Sequence, residues 1–182
     1  MSRLPALNPA TATGSAKRLL QGVEKKLGFA PNIMRTMANS PTALEGYLNF
    51  SGALSKGNFS PKFREQIALA VSELNDCQYC LSAHAAIGRM AGLSEEAIAD
   101  SRRGESPDTK EEAALAFTRQ VVSNRGWVTD EEVAKLRRVG FNDEDLAELM
   151  ANIGLTLFTN YFNHVAGTHV DFPEVAKLEA RI

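Results

Sequence analysis

Apolar residues recur three and four positions apart along almost the whole chain, and strand signals are nearly absent. The spacing predicts an all-α protein. Leu19, Leu20, Val23 and Leu27 mark a first helix capped by Ser15, Pro31 opens a short one ending near Asn39, and Pro41 begins a third that reaches about Lys56. Ser60 followed by Pro61 starts a fourth, whose apolar stripe is Phe63, Ile67, Ala70, Val71 and Leu74. Asn75 and Asp76 suit caps better than helix interiors, so the reading breaks there and resumes from Cys77 to about Met90, with Gly92 as the stop. Asp108 with Glu111, Thr129 with Glu132, and Asn142 with Asp145 resemble capping arrangements for three more helices. Gly126 and Gly140 close the first two of these. The last is long, with Leu146, Leu149, Ile153, Leu157 and Tyr161 on one stripe and Pro173 beyond its end. Ser101 to Pro107 reads as a flexible surface connection.

No polar linker divides the 182 residues, so a single domain over 1–182 is expected. Apolar residues at 44% and charged residues at 23% are ordinary for a globular chain and argue against disorder. A formal charge of -2 offers no electrostatic footprint for nucleic acid. The stretch from Met1 to Gly14 lacks a signal-peptide core, and no segment nears the roughly 20 apolar residues of a membrane span. A cytoplasmic protein is the expectation.

With only two cysteines, a disulfide framework is excluded. Both fall in Cys77-Gln78-Tyr79-Cys80, the spacing of a redox pair or of half a metal site. On a helix, positions i and i+3 share a face, close enough for a short-loop disulfide. A free thiol is mostly protonated at neutral pH, so a thiol that attacks quickly needs help from its surroundings. Two sources are legible: the positive end of the helix beginning near Asp76, and an imidazole at His84. Proximity to the helix terminus favours Cys77 as the attacking thiol, whereas the lean of helical side chains brings His84 over Cys80. Local physics leaves the two sulfurs level.

Other readings of the pair are inert packing of two small apolar residues and a zinc site, with Cys77, Cys80 and His84 joined by His164 or His169. Covalent c-type haem is excluded because Leu81, not histidine, follows the second cysteine.

The run from Arg64 to Met90, with Glu65, the Cys-Gln-Tyr-Cys pair and His84, closely resembles the carboxymuconolactone decarboxylase superfamily, in its branch similar to alkylhydroperoxidase D. Glu65 stands twelve residues before Cys77 and His84 four after Cys80, as in that family's motif, whose core here is about 60–92. The stretch from Phe158 through Asn160, Tyr161, Asn163, His164 and Gly167 to Pro173 is similar to its peroxidase-related subgroup. The resemblance implies a compact helical fold assembled as trimers or hexamers, and a peroxidase that reduces hydroperoxides with electrons from a lipoyl or thioredoxin-like dithiol. It also implies roles: Cys80 peroxidatic, Cys77 resolving, and Glu65 with His84 in a proton relay. One departure is Tyr79, which stands where the best-known relay has histidine; a phenol passes a hydrogen bond but is a poor base at neutral pH. Neither cofactor nor metal is expected.

Each residue also has a plainer reading. An acid in the first turn of a helix, as Glu65 is, is usually solvated, and Glu73, one turn before Cys77, competes with it. Asn160, Asn163 and His164 read as packing or subunit-interface residues rather than catalytic ones. Alternatives in function are a zinc-binding or redox-sensing oligomeric module, and a decarboxylase independent of the cysteines.

Overall fold

A computed structural model describes residues 2–178. Among them lie nine helices and no strand, so the all-α expectation holds. In chain order they are α1 (Gly14–Leu27), α2 (Asn32–Met37), α3 (Pro41–Leu54), α4 (Pro61–Leu74), α5 (Gln78–Met90), α6 (Glu95–Arg103), α7 (Thr109–Ser123), α8 (Asp130–Arg138) and α9 (Asp143–Ala166). None of the described helices is long and apolar enough to cross a membrane.

The architecture is built around α4, which packs against α5, α6, α7 and α9. Its Phe63, Ile67, Ala70 and Val71 join residues of α7, α8 and α9 in one core, with Leu115, Leu136, Leu149 and Ile153 wholly buried. Leu69, on another face of α4, packs with Leu81 and Ala85 of α5 and Ile98 of α6. A further core lies under α1, α2, α3 and the start of α5, and it contains both cysteines. Burying Leu20, Leu44 and Met37 there contributes about 1.5 to 3 kcal/mol per side chain and fixes the wall behind the thiols.

Start signals explain most boundaries. Ser60 accepts from the amide of Phe63 with Pro61 behind it, and Asp108 accepts from Lys110 and Glu111. Thr129 with Glu132 and Asn142 with Asp145 form complete capping boxes. Gly126 and Gly140 sit at positive φ past the ends of α7 and α8. Helix α1 starts one residue before Ser15, with Thr13 at its cap position, and Pro31 stands at the cap of α2 rather than inside it.

Two expectations are corrected. Ser101 to Pro107 is not a flexible connection: Ser101 and Arg102 belong to α6 and are buried, and Arg102 binds the Glu73 carboxylate at 2.6 Å. The start of α6 was legible after all, because Ser94 accepts from Ala97 at its cap, Glu95 and Glu96 fill the first turn, and Gly104 ends it at φ +83°. On α9 the apolar stripe ends early. Leu149 and Ile153 are buried, Tyr161 is exposed, and the C-terminal half buries Thr156, Thr159, Asn160 and Asn163 instead.

The segment after α9 returns across the start of α5. Asp171 accepts from the amide of Asn32 at 2.6 Å, Gln78 donates to Val175 at 3.0 Å, and Arg102 donates to Ala176 at 3.0 Å. Its Phe172 packs edge-on against Phe29 and Tyr79. Val170 and Phe172 of this segment pack against the core that contains both cysteines.

Candidate active site

The turn between α4 and α5 sets the first sulfur in place. Asn75 ends α4, Asp76 takes a left-handed φ of +50°, which short polar side chains tolerate, and the amide of Cys77 reaches back to Ser72 at 3.0 Å. Cys77 thereby becomes the cap of α5: its Sγ accepts from the amide of Cys80 at 3.4 Å. A thiolate at this position faces the positive end of the helix. The hydrogen bond from the Cys80 thiol lowers the Cys77 pKa, opposed by burial and helped by the Cys80 amide, His84 and Asn163. Burial pushes the Cys80 thiol up, and the neighbouring Cys77 pushes it further. Both cysteines are reduced and each is only 2% exposed.

Asn163 of α9 donates its amide to Cys80 Sγ at 3.2 Å. Asn160, one turn earlier, binds Ser72 at 3.2 Å and accepts from Asn75 at 2.9 Å, which ties α9 to the turn that holds Cys77. Sequence reasoning set both aside as packing residues. Asn160 does pack α9 against that turn, but both amides also favour the ionised Cys80 sulfur, and Asn163 touches it directly.

Glu65 and His84 meet at 2.7 Å through Glu65 Oε2 and His84 Nδ1, with 16% and 23% of their side chains exposed. The ring donates from Nδ1, which leaves Nε2 as the basic nitrogen of the neutral imidazole. Burial alone would lower the His84 pKa; the charge and hydrogen bond of Glu65 outweigh it and hold the ring above its ordinary value. Glu73, the competing acid, is engaged by Arg102 of α6.

Tyr79 stands between the site and α2. Its hydroxyl accepts from the amide of Ile33 at 3.1 Å, at the start of α2, and burial raises its pKa. The phenol thus anchors α2, and its side chain lines the cleft that also holds Cys80. Tyr47 of α3 is a residue the sequence reading missed. Half-buried beside the site, it is pushed up to about 12 by burial, by Glu65 and by Cys80, so it stays protonated at neutral pH. Nothing in its spacing marked it, because it lies 33 residues from Cys80 on a separate helix.

Two clefts reach this centre. One, of about 410 Å³, is walled by Leu27, Phe29, Ile33, Met34, Ile87, Met90 and Phe172, with Cys80, His84, Tyr47 and Asn163 among its polar groups. The other, of about 280 Å³, is lined by Arg3, Asp76, Cys77, Gln78, Asn163, His164 and Thr168. His164 donates to the carbonyl of Asn75 at 2.9 Å. Among the described residues, no group of three or more histidine, cysteine or acidic side chains is arranged to hold a metal ion.

A strand-free helical fold carrying a dithiol at a helix start defines a class of helical proteins built around a Cys-x-x-Cys pair. Residues 41–122 match the profile of the Carboxymuconolactone decarboxylase family, and the chain resembles the alkylhydroperoxidase D-like, peroxidase-related branch of that superfamily. A solved structure described as the alkylhydroperoxidase AhpD core, a peroxidase-related protein from Ralstonia eutropha JMP134, superposes with a TM-score of 0.82 at 27% identity, over 93% of this chain and 92% of that one. A peroxidase-related protein from Silicibacter sp. TM1040 gives 0.78 at 23% identity, over 93% and 94%. The debrominase Bmp8, as a cysteine-to-alanine variant in complex with 2,3,4-tribromopyrrole, gives 0.79 at 21% identity, over 94% and 92%. The last two bear on the fold alone. No curated protein matches the sequence significantly.

Proposed function

We propose that this chain is a thiol-dependent peroxidase that reduces hydroperoxides through Cys80 and Cys77 at the expense of a dithiol donor. The observation that carries the reading is the position of Cys80: it lines the apolar cleft, accepts from Asn163, and shares its proton with Cys77. The reaction balances on these groups. When the pair loses its first proton, His84 stores it as imidazolium, favoured by Glu65. The remaining proton shifts from Cys80 to Cys77 along their hydrogen bond, and the Cys80 thiolate attacks the peroxide oxygen that bears hydrogen. The O–O bond breaks, Cys80 becomes a sulfenic acid, and the departing alkoxide takes the proton from His84 to leave as alcohol. Cys77 then attacks the Cys80 sulfur, hydroxide leaves with the Cys77 proton as water, and a disulfide remains. The donor returns two electrons and two protons.

This reading reconciles the roles of the two thiols. Cys77 is the more acidic, which keeps the pair singly ionised, while Cys80 is the sulfur open to the cleft. Working as a trimer or hexamer in the cytoplasm belongs to the same proposal. Its test is peroxide consumption with dihydrolipoamide or thioredoxin as donor, comparing the wild type with Cys80→Ser and Cys77→Ser. Loss of turnover in both supports it, and unchanged turnover in Cys80→Ser removes Cys80 from its role.

A second reading draws on the cleft's size and lining together with the fold shared with Bmp8. The same dithiol could deliver its two electrons to a halogenated aromatic ring, replacing the halogen with hydrogen and releasing halide. Bromide release from a bromopyrrole, in place of peroxide turnover, would favour it.

A further inference from the structure

Asn163 uses only half of its amide. Its nitrogen donates to Cys80 Sγ at 3.2 Å, while its oxygen, Oδ1, is buried without a hydrogen-bond partner. The residue is 5% exposed, and an amide oxygen shielded from water and left unpaired costs free energy that a visiting donor would recover. Asn160, one turn earlier, shows the contrast: its nitrogen donates to Ser72 and its oxygen accepts from Asn75, so both ends have partners. Oδ1 of Asn163 is bonded to the same carbon as the nitrogen that holds Cys80 Sγ, so an oxygen brought to that sulfur arrives beside it. Cys80 and Asn163 both line the apolar cleft, whose other walls include Ile33, Met34, Ile87 and the His84 ring.

We propose that Asn163 Oδ1 is the specificity group of this cleft: it accepts the O–H of a hydroperoxide, and so admits peroxides that carry a hydrogen while rejecting those whose oxygens both carry carbon. This rests on the peroxidase reading and deepens it. One orientation satisfies every group. The oxygen that bears hydrogen lies against Cys80 Sγ with its O–H on Oδ1, the second oxygen lies toward His84, and the carbon chain runs out along Ile33, Met34 and Ile87. The amide offers its N–H to the sulfur and its carbonyl to the substrate, one donor and one acceptor on one planar group. When the thiolate attacks, the S–O bond forms as the O–O bond breaks, and two electrons pass from the sulfur to the peroxide. The hydrogen stays on the oxygen now bonded to sulfur, and the alkoxide leaves with the proton stored on His84. The hydrogen bond to Oδ1 therefore persists from substrate to sulfenic acid. A peroxide without O–H leaves that oxygen buried and unpaired, the arrangement by which a polar site rejects an analogue lacking its hydroxyl.

The test separates recognition of the O–H from activation of the sulfur, which the N–H of the same amide provides. In a Cys77→Ser background, quenched-flow mass spectrometry follows Cys80 with two reagents: cumene hydroperoxide, and methyl methanethiosulfonate, which carries neither O–H nor N–H. Asn163→Ala should slow both, and should lower the ratio of the hydroperoxide rate to the thiosulfonate rate by about three- to tenfold, the effect of one lost hydrogen bond. Asn163→Asp keeps an acceptor of the same shape and removes the donor, so it should slow the thiosulfonate while holding the ratio at or above that of the parent. Far-UV circular dichroism and thermal melting confirm that each variant is folded, and if Asn163→Ala does not fold, the ratio in Asn163→Asp decides. A ratio unchanged in Asn163→Ala, or lowered in Asn163→Asp, overturns the proposal and leaves the peroxidase reading intact. A parent Cys80 that takes the thiosulfonate but is not oxidised by the hydroperoxide overturns the peroxidase reading and this inference with it.

Discussion

Asn163 of α9 donates its amide to the sulfur of Cys80, 83 residues earlier in the chain, at 3.2 Å. A hydrogen bond to a charged acceptor is worth about 1.5 to 3 kcal/mol, more than a bond to the neutral thiol, so this contact selectively favours the ionised sulfur. Asn163→Ala, in a Cys77→Ser background that isolates Cys80, should slow alkylation of Cys80 by iodoacetamide about tenfold or more at neutral pH. A rate like that of the parent would reduce Asn163 to a packing residue.

Tyr79 tests the departure from the familiar relay. Its hydroxyl is committed to the amide of Ile33, and removing it leaves a buried N–H without a partner. Tyr79→Phe should therefore cost about 1 to 2 kcal/mol in urea unfolding. A loss of peroxide turnover as deep as that of His84→Ala, without loss of stability, would return the phenol to the chemistry.

What could be read from the sequence follows the range of the interactions. Cys77, Cys80 and His84 lie within two turns of one helix, so a short local motif exposed these three, whereas Glu65 was marked only by the resemblance to the family's motif. The helices with local caps, such as those begun by Ser60, Thr129 and Asn142, were legible for the same reason. Asn163 and Tyr47 were not, because each enters the site from a helix far away in sequence and neither residue type announces a role by itself. The misreading of Ser101 to Pro107 had a different cause. Ser and Arg look like loop residues until Glu73 supplies the charge that allows Arg102 to be buried.

That ion pair should matter to the fold. The Arg102 side chain is 5% exposed and its carboxylate partner 26%, so replacing the acid strands a buried cation. Glu73→Gln is expected to lower stability by about 2 kcal/mol, less than the roughly 3 to 5 kcal/mol of a fully buried pair because Glu73 keeps some contact with water. Chemical denaturation at neutral pH measures it, and a change within error would mean that Arg102 is held by its bond to Ala176 alone.

The pair formed by Glu65 and His84 carries a sign that can be checked. The folded ring has a pKa above the ordinary 6.5, so the fold binds that proton more tightly than the unfolded chain does. Its contribution to stability is fully present below about pH 6.5 and is lost as pH rises through the raised value. Cys77, with its lowered pKa, works in the opposite direction, so the measurement belongs in a Cys77→Ser, Cys80→Ser background. There, stability should decline from pH 6.5 upward, and Glu65→Gln, which removes the charge holding the imidazolium, should flatten the decline. In the protein with both cysteines, Glu65→Gln should also slow oxidation by hydroperoxide about ten- to a hundredfold, since His84 then stores the proton less readily. An unaltered pH slope together with an unaltered rate would detach Glu65 from the relay and leave His84 to act on its own.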